Sequence, residues 1–313
     1  MVMCLDSPTA PLLFDTAFLS KLEQLHLLSK KLLRSQHRAE RPSRQIGSSL
    51  EFADYRNYAP GDDLRGVDWN IYGRLEKLSV KLFEQEQDLP VYLLVDASES
   101  MRWVPGVTSP KDAHAPRSKF DQVRRTAASL AYVALANLDR VGIQWFGSQL
   151  GPQLAMTRGR SQFHKVLDFL QTAPPLPGPT CLLDSAREFT QRTTRRGMVI
   201  LLSDLLDPAG CAPALTHLQH CQFEVQVVQI LAPEELDPAW RGDIEFLDAE
   251  TGAPLPVTLD ETLLASYRER VTAFLKESTD FCRRNAVGHV SASTAVPFED
   301  LVLRVLREGR LLR

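Results

Sequence analysis

The chain has 313 residues, 44% hydrophobic and 24% charged, with a formal net charge of −3. That length allows one large domain or two modest ones, and the charge excludes the global basic field that gathers nucleic acid. Five scattered cysteines (Cys4, Cys181, Cys211, Cys221, Cys282) form no Cys-x-x-Cys pair and read as reduced thiols. Residues 1–20 lack a basic leader, and no uncharged apolar run approaches the roughly 20 residues of a membrane span. The expected location is cytoplasmic, with no transmembrane segment.

In chain order, residues 16–35 carry Phe18, Leu22, Leu25, Leu28 and Leu32 at three- and four-residue steps and predict a helix. Lys30, Lys31, Arg34, Arg38, Arg41 and Arg44 follow, with Glu40 the only acid among them. This stretch reads first as a solvated helix end, where cations suit the macrodipole, and second as a docking patch for an acidic partner. Residues 45–90 lack clear periodicity, although 54–63 hold a Pro-Gly-Asp turn signal and 79–84 alternate like a strand.

From Pro90 onward, strands and helices alternate. A strand at 91–95 is followed by a long loop and a helix at about 119–137, opened by Ser118 and Asp121 at capping-box spacing. A strand at 141–146, helices at 161–171 and 182–193, and a strand at 198–202 come next. A helix at about 209–219, a strand at 223–230, a hairpin at about 244–259, a helix at 260–285, a strand at 287–291 and a last helix from Phe298 complete the order. Apolar strands alternating with helices predict an α/β fold whose mostly parallel sheet is covered on both faces.

Two of the buried strands end in acid. The first runs into Asp96-Ala97-Ser98-Glu99-Ser100 and the other into Ser203-Asp204. Between them, Pro177-Gly178-Pro179-Thr180 brings a hydroxyl to the start of a helix. Ligands in open α/β sheets bind outside the carboxyl ends of the strands. Asp96, Ser98, Ser100, Thr180 and Asp204 are therefore candidates to converge on one rim. All five are hard oxygen donors, suited to Mg²⁺, Mn²⁺ or Ca²⁺ and poorly suited to zinc or copper. The bland alternative is that both aspartates cap helices or turns.

Asp-x-Ser-x-Ser, a later Thr after a Gly/Pro loop and an Asp after another strand resemble the metal-ion-dependent adhesion site of von Willebrand factor type A domains. The resemblance implies Ser98, Ser100 and Thr180 as metal ligands, with Asp96 and Asp204 acting directly or through water. Upstream, Ser48-Ser49-Leu50-Glu51-Phe52-Ala53-Asp54-Tyr55-Arg56, Tyr58-x-Pro60-Gly61-Asp62-Asp63-x-Arg65, Asp68-Trp69-Asn70 and Val80-Lys81 are similar to the signature of the bacterial domain-of-unknown-function 58 family. That family implies a von Willebrand A-like domain at 89–313 behind a family-specific N-terminal region at 1–88, with its signature at 48–83. It also implies a MoxR-type AAA+ ATPase, or that enzyme's client protein, as partner. Arg56, Arg65, Asp62, Asp63 and Asp68 read either as a buried ion-pair network or as a partner surface. The 101–117 loop, long for the family, could offer Trp103 and Val104 as an apolar anchor beside the rim.

The expected function is a metal-dependent protein-interaction module, most simply with Mg²⁺, and not an enzyme. The alternative is a Mg²⁺-dependent phosphotransferase or phosphatase of haloacid-dehalogenase type using Asp96. That chemistry wants a general acid two residues on, where this chain has Ser98. Neither a Gly-x-Ser-x-Gly elbow nor a phosphate-binding Gly-x-x-x-x-Gly-Lys loop is present.

Overall fold

The computed structural model describes residues 13–36, 46–60, 62–84, 90–102, 118–172, 176, 178, 180–248 and 253–308. They fall into two compact units. One combines the N-terminal helix α1 (Thr16–Gln36) with everything from residue 90 onward; the other holds residues 46–84. The anticipated 1–88 region is thereby divided, because Phe18, Leu22 and Leu25 of α1 are buried in the core of the larger unit.

The small unit pairs β1 (Ile46–Asn57) antiparallel with β2 (Ser79–Glu84), around helix α2 (Trp69–Leu75). Asp68 caps α2 by accepting from Asn70 N (2.9 Å), and its other oxygen accepts from the Tyr55 hydroxyl (3.1 Å). Arg56 pairs with Asp62 at 2.7 Å. Asp62 also accepts from Ala59 N, and these contacts hold its carboxyl below the ordinary range. The signature residues thus cap and staple their own turns. The Arg56–Asp62 pair is partly exposed, which corrects the expectation of a buried network.

The larger unit continues through β3 (Pro90–Asp96), α3 (Glu99–Arg102), α4 (Lys119–Ala136), β4 (Arg140–Phe146), β5 (Leu150–Arg158), α5 (Phe163–Gln171), α6 (Leu182–Arg192) and β6 (Met198–Ser203). Next come α7 (Ala212–His220), β7 (Glu224–Leu231), α8 (Pro233–Leu236), the antiparallel pair β8 (Gly242–Leu247) and β9 (Pro254–Leu259), α9 (Glu261–Arg284), β10 (Gly288–Ser293) and α10 (Phe298–Glu308). A six-stranded sheet has the order β10-β7-β6-β3-β4-β5, parallel except for β5. Helices flank it on both faces, in agreement with the expected α/β class and consistent with a von Willebrand A-like fold.

Successive strand residues point to opposite faces, and β3 shows the division. Val91, Leu93 and Val95 pack with α1, α4, α5 and α10. Tyr92 and Leu94 pack with α6, α7 and the end of α9. Burial on both sides explains why β3 and β6 read as continuous apolar runs. Ser118 caps α4 by accepting from Asp121 N, and Asp260 caps α9 by accepting from Leu263 N. Strand β5 was not anticipated, because Gly151-Pro152 interrupts its pattern. It is the sheet's edge, where proline is tolerated, and its pairing with β4 shifts register twice. The proposed anchor residues Trp103 and Val104 lie outside the described residues. No helix among the described residues is long and apolar enough to cross a membrane.

Gly197 leads into β6 with no room for a side chain: a Cβ there would lie 2.2 Å from the Pro90 carbonyl oxygen at the start of β3. Gly197→Ala is expected to destabilise the fold by about 1–3 kcal/mol, read as a lower urea midpoint with an unchanged m-value.

Candidate functional site at the carboxyl rim of the sheet

Strand order makes the rim. From β3 the chain proceeds outward to β4 and β5, then returns to place β6 on the opposite side of β3. The order therefore reverses between β3 and β6, the position where doubly wound sheets open a crevice for ligands. Asp96 ends β3, and Ser203-Asp204 ends β6 and begins its exit turn.

Asp96 is wholly buried. Its Oδ1 accepts from Ser98 N at 3.0 Å, which shapes the Asp-x-Ser turn. Its Oδ2 accepts from Ser203 Oγ at 2.6 Å, which ties the end of β3 to the end of β6. Burial, and then the neighbouring Asp204 charge, push its pKa up to about 7, against the lowering effect of the Ser203 and Ser98 hydrogen bonds. With both oxygens committed, Asp96 is an anchor of the turn.

The hydroxyls of Ser98 and Ser100 carry the cluster on toward Asp204. Ser100 Oγ donates to Asp204 Oδ2 (3.3 Å), which leaves Ser98 Oγ as donor in its 3.1 Å contact with Ser100 Oγ. Asp204 shapes its own turn by accepting from Leu206 N at Oδ1. Between them Leu205 is buried at φ +63°, a left-handed conformation uncommon for a bulky residue and typical of strained functional turns. Thr180 is buried on the adjacent loop. That loop is fastened by Cys181 N donating to Gly147 O and by Leu176 N donating to Ala97 O inside the Asp-x-Ser turn. Asp207 accepts from Leu182 N at the head of α6 (2.7 Å). The structure thus joins Asp96, Ser98, Ser100 and Asp204 in one hydrogen-bonded cluster and sets Thr180 on the loop beside it.

Two members of the cluster escaped the sequence reading. Lys119, at the start of α4, is buried with its Nζ 2.6 Å from Asp204 Oδ2 and 2.5 Å from Glu235 Oε1. Burial pushes its pKa down, but Asp204 and Glu235 outweigh this and hold it above the ordinary lysine value. One signal was available: a cation in a helix's first turn opposes the macrodipole and needs a reason to be there. Glu235 lies in the short helix α8 and gave no such sign.

Among the described residues, no group of three or more His, Cys, Asp or Glu side chains is placed to hold a metal. A cation at this rim would depend on serine and threonine hydroxyls beside Asp204, all hard donors. That donor set fits Mg²⁺ or Mn²⁺, with the Lys119 ammonium an added positive charge that any such ion must meet.

The family described as "Protein of unknown function DUF58" matches residues 54–277. Uncharacterized proteins of Mycobacterium bovis and Mycobacterium tuberculosis are each 26% identical over 236 residues, 72% of this chain and 69% of theirs. Among solved structures, the conserved hypothetical protein BatB from Bacteroides thetaiotaomicron aligns over 71% of this chain and 99% of its own, at 16% identity and a TM-score of 0.43. An aerotolerance-related membrane protein from Bacteroides fragilis aligns over 70% and 98%, at 15% identity and a TM-score of 0.45. With most of its length matched by the family model, the chain belongs to the DUF58 family of proteins of unknown function.

Proposed function

We propose that this chain is a cytoplasmic protein-interaction module that captures a partner's carboxylate through a divalent cation, most simply Mg²⁺, at the rim between β3 and β6. The observation that carries this reading is the run from Ser98 Oγ through Ser100 Oγ to Asp204 Oδ2, assembled from two strand ends. Ser98, Ser100, Thr180 and Asp204 would hold the ion, and Asp96 would fix the turn that presents the serines. The bound ion would supply an open coordination position for an incoming carboxylate. The family resemblance supports a MoxR-type AAA+ ATPase, or its client, as the protein that offers it.

The same geometry weighs against phosphoryl transfer. An attacking aspartate needs a free oxygen facing the substrate, whereas Asp96 is enclosed with both oxygens hydrogen-bonded. Asp204 and Asp207 are engaged in turn and helix-head contacts.

Mg²⁺ or Mn²⁺ at a hundredfold its Kd should stabilise the fold by about 2.7 kcal/mol, roughly 4 °C in Tm for a chain of this size. Ser98→Ala combined with Ser100→Ala should abolish the shift; a shift that persists in this double variant locates the ion elsewhere. A MoxR-type ATPase expressed with the protein should co-precipitate in Mg²⁺ and be lost in EDTA, and retention in EDTA would refute metal-mediated contact. Purified protein with Mg²⁺ should not turn over p-nitrophenyl phosphate. Turnover that disappears in Asp96→Asn would replace the interaction reading with phosphoryl transfer.

A further inference from the structure

Lys119 is the first residue of α4, and its side chain is completely buried. Lysine is almost never so buried unless paired, and here both partners are carboxylates. Its contact on Asp204 is Oδ2, the same oxygen that accepts the Ser100 hydroxyl. The ammonium therefore stands at the carboxylate atom that closes the hydroxyl run. Its second partner is held independently of Asp204. Glu235 Oε2 accepts from Ala232 N at 2.7 Å, and the Glu235 carbonyl accepts from the Tyr267 hydroxyl at 2.7 Å. Lys119 thus has one partner inside the run of candidate ligands and one outside it.

We propose that Lys119 is a built-in cation of this rim, which competes with a divalent ion for Asp204, releases that carboxylate when the ion binds and stays paired with Glu235. The inference rests on the divalent-cation reading above and adds how affinity at that site is set. The ammonium keeps its proton throughout; only its hydrogen bond to Asp204 Oδ2 is exchanged. Two cations drawn to one carboxylate in a poorly solvated setting repel each other strongly, so each weakens the hold of the other. With Lys119 in place, Asp204 is already paired with a cation before any ion arrives, one that it shares with Glu235. The rim then admits a divalent ion only at the expense of an existing ion pair, and a monovalent ion brings no more charge than the ammonium it would replace.

The test is Mn²⁺ binding to the full-length protein by titration calorimetry, with folding checked by circular dichroism. Lys119→Met should bind Mn²⁺ at least tenfold more tightly than wild type. Glu235→Gln should bind severalfold more weakly, because the ammonium then rests on Asp204 alone. Should Lys119→Met fail to fold, Lys119→Met/Glu235→Gln removes one of the two carboxylates left unpaired and should also bind more tightly than wild type. Loss of the gain on adding Ser98→Ala and Ser100→Ala to Lys119→Met would support the proposal, whereas binding confined to Lys119→Met would show that the lysine never yields Asp204 and would overturn it. Unchanged or weaker binding in Lys119→Met would make the lysine a support for Asp204 and overturn the proposal, leaving the metal reading intact. Absence of Mn²⁺ binding in wild type and every variant would overturn both.

Discussion

The rim depends on one hydrogen bond. Ser203 Oγ donates to Asp96 Oδ2 at 2.6 Å between the ends of two strands that are buried on both faces. Neither group has water as an alternative partner, so loss of either leaves the other unsatisfied in the core, typically at 1–3 kcal/mol and more for a charged group. The bond fixes where β3 stops relative to β6. The turn carrying Ser98 and Ser100 and the turn carrying Asp204 both start from that junction. The partly exposed Arg56–Asp62 pair, by contrast, staples its own turn.

Electrostatics at the rim follow from the same enclosure. Asp96 and Asp204 sit close enough for one to raise the pKa of the other, and the hydrogen bonds from Ser98 and Ser203 only partly offset this. Lys119 supplies the nearest fixed positive charge, shared with Glu235. A buried ion pair of this kind is weak evidence for stability, since desolvation offsets much of the attraction. Its effect on charge at the rim is the more consequential property.

Much of this was legible in the chain before folding. Continuous apolar strands ending in Asp96 and in Ser203-Asp204 announce a two-sided sheet with acid at its carboxyl edge, because that pattern has few other solutions. Ser118 and Asp260 marked helix starts through short-range capping, which depends only on nearby residues. Lys119 was not recognised because its partners lie 85 and 116 residues away, and its one local sign, a cation in a helix's first turn, points to neither of them. Strand β5 was missed because an edge strand need not alternate cleanly and can carry proline. Helix α1 was assigned to an N-terminal region by its place in the sequence, whereas Phe18, Leu22 and Leu25 belong to the main core.

Strand β5 also bears on how the molecule meets others. An exposed sheet edge is a template on which a further strand can be laid. Here Pro152 has no amide proton to contribute to a ladder, and the two register shifts against β4 disturb the straight ladder a further strand would need. Growth of the sheet across this side, by a second copy or by an extended peptide, is therefore disfavoured, and that edge is guarded against aggregation by its own backbone.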